Sequence, residues 1–262
     1  DLHSFPTRRS SDLVLTKLAL DRKEVHYGPV TGTAELRECI SKSYQDLYGL
    51  RYAPDELMVT HGVAHGIFLA IMSYLNPGDE ILVPDPGYLC YFTVPNIAGA
   101  KAVPYHLDAK NDYQIREELL SGLVTPKTKA ILLNSPSNPC GFLLERESLE
   151  IVAKLAEAHD LLVITDDVYS RMVYDGKTFY TIAQFPGMRE RTVVLNGFSK
   201  YYAMTGWRIG YLLCDRSLIN PMMRLGFYSI SCPNTFIQSA AVAALREVST
   251  RSEERRVGKE CR

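Results

Sequence analysis

The chain has 262 residues, of which 46% are apolar and 23% charged, with a formal net charge of −1. That composition suits a folded protein of one or two domains with a substantial core, and it excludes a disordered chain. It offers no basic excess for a nucleic-acid surface and no uninterrupted apolar run long enough to span a bilayer, so neither nucleic acid nor membrane is expected as a partner.

Residues 1–13 and 251–262 show neither helical nor strand periodicity. Both are similar to translated adapter read-through and read as non-native tails around a domain over 14–250, with the natural protein expected to extend further at both ends. No secretory signal opens the chain. Six cysteines (Cys39, Cys90, Cys140, Cys214, Cys232 and Cys261) are spread without a C-x-x-C pair. This usage reads as reduced cysteine in the cytoplasm. His61 and His65 share an i, i+4 spacing, but no H-E-x-x-H and no third ligand accompany them, so no metal is expected.

Val14 to Leu20 reads as the end of a helix, followed by a turn-rich loop, Tyr27-Gly-Pro-Val-Thr-Gly32. Glu35 to Tyr48 has helical spacing of Leu36, Cys39, Ile40, Tyr44 and Leu47. Leu57 to Thr60 is a short strand. The turn His61-Gly-Val-Ala-His-Gly66 then opens a helix running to about Leu75. A helix start offers unpaired N–H groups and a partial positive charge, so it can hold a phosphate. Gly62 lets the backbone approach such a ligand closely. Asn76 to Asp79 supplies stop chemistry, and Glu80 to Pro84 is a strand ending in the loop Asp85-Pro-Gly-Tyr88. Open α/β sheets bind ligands at that end of their strands. Tyr91 is a nearby competitor for any role of Tyr88.

Lys101 to Leu107 predicts a strand and Tyr113 to Gly122 a helix. Lys129 to Leu133 is a strand that leads into Asn134-Ser-Pro-Ser-Asn-Pro-Cys-Gly141, a loop rich in turn formers. An amphipathic helix spans Glu145 to His159. The apolar run Leu161 to Thr165 suits a parallel strand covered on both faces, and it ends on Asp166. A carboxylate there is costly unless a cation meets it. Asp167 reads as a helix N-cap or a solvated neighbour.

Thr192 to Leu195 predicts a buried strand, and a polar turn with Ser199 and Lys200 follows it. Arg208 lies eight positions beyond Lys200, in a second apolar run, Trp207 to Leu213. Lysine is seldom buried, and arginine seldom sits in a core strand without a partner. The two cations ask for a shared partner, which a ligand bearing an aldehyde and a phosphate would supply; an ordinary ion pair is the alternative. Helices are expected after Asp215, over Met222 to Ser231 and over Thr235 to Glu247. Alternating strands and helices point to an α/β domain with a mainly parallel sheet.

The segment Ser-Lys-x-x-x-Met-Thr-Gly-Trp-Arg-Ile-Gly, Ser199 to Gly210, resembles the pyridoxal-phosphate (PLP) lysine motif of the fold-type-I aminotransferases, class I/II. The resemblance covers about Leu20 to Leu245, most of that family's large domain, with the small domain largely missing. It implies that Lys200 holds PLP as a Schiff base and moves the substrate proton, with Asp166 keeping the ring nitrogen protonated. It places Tyr88 on the ring face, and Asn138 and Tyr169 at the phenolic oxygen. The N–H groups of Val63 and Ala64, together with Arg208, would bind the phosphate. Tyr27, in a Tyr-x-x-x-x-Gly-x-x-x-Leu-Arg segment, would reach the phosphate of the neighbouring subunit in a homodimer. The spacings support one another: 28 residues from Asn138 to Asp166, 3 to Tyr169, and 34 from Asp166 to Lys200.

Two positions depart from the pattern. Cys140 stands where threonine or serine is usual, and Gly197 where the aspartate branch has a phosphate-binding serine, with Ser199 as the candidate substitute. The implied reaction is transamination between an L-amino acid and a 2-oxo acid. A PLP lyase or decarboxylase on the same fold, and a non-catalytic PLP-sensing regulator, are the alternatives. The family's carboxylate-binding arginine belongs to a segment that no part of this chain matches.

Overall fold

The structure, a computed structural model, describes residues 10–246. Among these residues seven strands form one sheet: β1 (Leu57–Thr60), β2 (Glu80–Asp85), β3 (Lys101–His106), β4 (Thr128–Asn134), β5 (Leu162–Asp166), β6 (Thr192–Gly197) and β7 (Gly210–Leu213). Their spatial order is β1-β7-β6-β5-β4-β2-β3. All neighbours from β6 through β3 pair in parallel, and β7 alone runs against the rest. Helices α1 (Ser10–Asp21), α2 (Ala34–Tyr48), α3 (Val63–Tyr74), α4 (Cys90–Ile97), α5 (Glu117–Ser121), α6 (Arg146–Ala158), α7 (Arg216–Ile230) and α8 (235–246) flank the sheet. The fold is therefore α/β with a mainly parallel sheet.

The central strands read as continuous apolar runs because both their faces are covered. Side chains alternate across a strand. Leu132, Ile164, Val193 and Leu195 pack with Ile67, Leu69 and Ile71 of α3 on one face. Ile131, Leu133 and Val163 pack with Leu149, Val152 and Ala156 of α6 on the other. A third cluster closes the β1 and β7 end, where Leu36 and Ile40 of α2 meet Leu57, Val59, Leu213 and Ile237. Burying a leucine or isoleucine in such a layer contributes about 1.5–3 kcal/mol.

Parallel pairing puts several strand ends at one edge. Asn134 is opposite Asp166, and Asp166 is opposite Leu195. The loops that follow β4, β5 and β6 are thereby gathered together, as expected for a ligand crevice in such a sheet.

Three local expectations differ from the structure. The helix predicted over Tyr113 to Gly122 is confined to Glu117–Ser121. Asp112 and Tyr113 both have positive φ, of 50° and 56°, which a helix does not allow. Arg208 does not lie in a strand: Thr205–Trp207 forms a 3₁₀ turn, Arg208 is left-handed with φ 51°, and β7 starts at Gly210. Helix α1 begins at Ser10, inside the stretch read as a tail. The remainder of both tails, with Cys261 and the last residue of the helix expected to end at Glu247, lies outside the described residues.

Candidate active site

Asp166 occupies the C-terminal end of β5 with only 4% of its surface exposed. Each of its carboxylate oxygens has a donor. Tyr91 Oη–H donates to Oδ2 at 2.8 Å, and the Val168 N–H to Oδ1 at 3.2 Å. Its main-chain oxygen accepts from Asn134 Nδ2 at 2.8 Å. Asn134 Oδ1 in turn accepts from the Asn138 N–H at 2.7 Å, so Asn138 is tied to Asp166 through one intervening side chain. Burial pushes the Asp166 carboxyl up to about 6, against the pull of Tyr91, Val168 and the Lys200 cation. This is a buried acid with unused lone pairs at the mouth of the sheet. Its charged form gains from any cation brought against it.

Lys200 lies in the turn after β6 and is exposed. Its Nζ sits 5.4 Å from the centre of the Tyr169 ring, and its charge acts on Asp166. Tyr169 is half-buried in the turn that follows β5. Lys200, Asp166 and Tyr169 are thus brought together by the ends of two adjacent parallel strands.

A second group forms around the start of α3. Gly62 is the residue before that helix, with φ 76°, and no side chain caps the helix N-terminus. A Cβ on Gly62 would stand 2.8 Å from Arg208 Nη2, so the guanidinium lies directly against this turn. A Cβ on Gly210 would come within 2.7 Å of the Gly62 carbonyl carbon and 2.9 Å of the Val63 nitrogen. The first N–H groups of α3, at Val63 and Ala64, and the exposed Arg208 therefore converge on a cradle that only glycines leave open. His65 adds no charge to it: burial, and then His61, hold its imidazole down to about 4. His65 Nδ1 accepts from the His61 N–H at 3.3 Å, and Nε2 lies 3.3 Å from Ser229 Oγ.

Tyr88 bridges the two groups. It is 38% exposed at the end of the loop after β2. Its hydroxyl is held above its ordinary range by Cys90, by burial and by the Asp166 charge, while Arg208 pulls the other way. One ring is thus within electrostatic reach of both the buried acid and the cradle. Tyr27 stands apart. It is 89% exposed and lines a surface cleft with Glu24, Thr33, Thr235 and Ser239, away from the other residues.

Two residues have other roles than the sequence suggests. Tyr91 does not compete with Tyr88 for a ligand face, because it is fully buried and donates to Asp166. Asp167 is neither a helix cap nor solvated. The chain after it makes a single turn, with Ser170 N–H bonded to its carbonyl at 2.9 Å, and its side chain is buried. Thr165 Oγ1–H donates to Asp167 Oδ1 at 2.6 Å, and the buried Thr181 hydroxyl acts on the same carboxyl. Burial, with the Asp166 charge adding to it, pushes this carboxyl up to about 7. Asn134 is the residue that sequence reasoning passed over. Its position directly after the apolar run that ends at Leu133 was the available signal.

Comparison with known proteins identifies the family of the chain. The family profile "Aminotransferase class I and II" matches residues 10–259. Aromatic-amino-acid aminotransferase 2 of Thermococcus litoralis is 39% identical over 232 residues, covering 88% of this chain and 60% of the relative. An aspartate aminotransferase of Pyrococcus abyssi is 40% identical over the same shares. Among solved structures, the aromatic aminotransferase of Pyrococcus horikoshii aligns with a TM-score of 0.90 at 37% identity, over 94% of this chain and 66% of that one. The aspartate aminotransferase of Thermus thermophilus with maleate aligns at 0.88 and 32%, over 92% and 63%. The chain spans about 60% of the length of the curated relatives it matches.

Proposed function

The chain belongs to the class I and II aminotransferases, whose members use pyridoxal phosphate, and from that premise we propose that the protein transfers the amino group of an L-amino acid to a 2-oxo acid with PLP anchored at Lys200. The residues present suit such a group. A buried carboxylate that gains from a cation fits a protonated ring nitrogen, an exposed amine beside it fits an aldehyde, and a glycine-lined helix start with an arginine against it fits a phosphate. When bound, the cofactor supplies an electron sink for the charge left at the substrate's α-carbon.

The chain's own residues do the rest. Lys200 Nζ is the covalent anchor. Its amine would also serve as the proton carrier for the substrate's α-proton, as general base and then acid. Asp166 holds a proton on the ring nitrogen and so keeps the sink effective. Asn138 and Tyr169 orient the phenolic oxygen. Tyr88 covers one ring face and excludes water. The Val63 and Ala64 N–H groups and Arg208 fix the phosphate, and exposed Tyr27 serves the neighbouring site of a homodimer in the cytoplasm. The two relatives' names set aspartate and aromatic amino acids as the first substrates to try.

The observation that carries this reading is the buried Asp166 carboxylate under the charge of Lys200. Product analysis tests it: the PLP-loaded protein is given L-aspartate or L-phenylalanine with 2-oxoglutarate. Formation of glutamate with the matching oxo acid supports transamination. Release of ammonia or carbon dioxide without glutamate would replace it with a lyase or decarboxylase.

A further inference from the structure

The helix α4 begins two residues after Tyr88 and carries Tyr91 in its first turn. A phenol hydroxyl buried this deeply costs free energy unless it is paired. Here the pairing is to Asp166 Oδ2 at 2.8 Å, while Val168 N–H holds the other oxygen at 3.2 Å. The carboxylate plane is thereby fixed from both sides. The same tyrosine braces Tyr88 in two ways. The Tyr91 N–H donates to the Tyr88 carbonyl at 2.9 Å, and the two rings meet edge to face, with centroids 5.6 Å apart at 89°.

We propose that Tyr91 is a positioning residue: its hydroxyl aims the Asp166 carboxylate at the edge of the ligand ring, and its ring braces Tyr88 against the face. This rests on the PLP reading given above. The charged and titratable groups that act on Asp166 or on Tyr91 are Lys200 from the turn after β6, Asp167 and Tyr169 from the chain after β5, and Tyr88 from the loop after β2. Tyr105 of β3 also acts on Tyr91. Of the contacts that favour the carboxylate's charged form, the Tyr91 hydrogen bond is the foremost, so losing it drives the acid toward its neutral form. A neutral acid no longer retains a proton on a ring nitrogen.

Two variants separate the two parts of the role. Tyr91→Phe removes the donor and keeps the ring against Tyr88; Tyr91→Leu removes both. The first readout is the Asp166 titration in the cofactor-free chain, followed by carbon-13 NMR of labelled aspartate and assigned with Asp166→Asn. The midpoint should rise from about 6 in Tyr91→Phe. The second is PLP binding by absorbance between pH 7 and 9. Tyr91→Phe should bind roughly tenfold more weakly near pH 7, with the deficit shrinking toward pH 9 as Asp166 ionises again. Tyr91→Leu should show a further loss that persists at every pH. An unchanged Asp166 midpoint with parental PLP affinity in Tyr91→Phe would overturn the proposal. So would a loss confined to Tyr91→Leu, which packing alone explains. A parent chain that binds no PLP would instead sink the cofactor reading, and the Asp166 midpoint would still decide whether Tyr91 governs the acid.

Discussion

The two ends of the candidate site are built differently. At the end formed by β4, β5 and α4, Asp166, Asn134 and Tyr91 are buried and bonded to one another. On the solvent side, Lys200 in the turn after β6 and Arg208 against the start of α3 are exposed, and Tyr27 lies in a separate exposed cleft. The first end is a product of the core: the sheet that stabilises the domain also fixes the acid. The second consists of cations and N–H groups that a ligand, or a second subunit, has to complete. A site divided in this way separates orientation, which needs rigidity, from capture, which needs access.

Substitutions at each end should therefore fail differently. The largest effect is expected at the open end. Lys200→Ala should lower amino transfer by about 10³-fold or more, because anchor and proton carrier vanish together. Its melting temperature should stay at the parental value, since the side chain is exposed. A variant that still turned over within tenfold of the parent would remove Lys200 from the mechanism.

Asp166→Asn should separate stability from activity. Its carboxyl is raised in the folded chain, from an ordinary value near 4 to about 6. The folded state therefore binds the extra proton, and the stability contributed by this group is full below pH 4 and lost as pH rises through 6. The asparagine variant escapes that loss. The cofactor-free variant should be the more stable at pH 8, by roughly 3 kcal/mol at most, and equal to the parent near pH 4. Amino transfer should nonetheless fall by roughly 10²–10⁴-fold. Denaturant melts at both pH values check the sign, and a variant less stable than the parent at pH 8 would contradict it.

Gly210→Ala strikes the backbone beneath the open end. Its Cβ would lie 2.7 Å from the Gly62 carbonyl carbon, so either β7 or the start of α3 must shift. A loss of about 1–3 kcal/mol is expected, with weakened phosphate binding measured by PLP titration. The smallest effect is expected at Tyr27. Tyr27→Phe should change the stability of the isolated chain by less than about 0.5 kcal/mol, because the side chain is almost wholly exposed. Its effect should appear only as weaker PLP retention in the homodimer proposed above.

The same division explains what could be read from sequence. Strands and helices were legible because their apolar runs stop at turn formers, and Asp166 was legible because a carboxylate closes a buried run. The Tyr91 to Asp166 bond was not. The three-residue spacing from Tyr88 puts both tyrosines near one loop, but only the packing of α4 on the sheet shows which of them turns inward. Asp167 was misread for a related reason. A carboxylate after a strand resembles a helix cap until the chain is seen to make one turn and bury it. Arg208 was expected in a strand because its neighbours are apolar, whereas the Thr205–Trp207 turn delays β7 and leaves the guanidinium against the Gly62 turn. At the open end the pattern asks for a shared partner of Lys200 and Arg208, whereas Tyr27 and the specific N–H groups of Val63 and Ala64 are assigned by resemblance alone.

Borohydride trapping tests the central claim most directly. The chain is incubated with PLP, reduced, digested and mapped by mass. A single adduct on Lys200, absent from Lys200→Ala, is the predicted result. Adducts spread over the exposed lysines, with no preference for Lys200, would contradict the site.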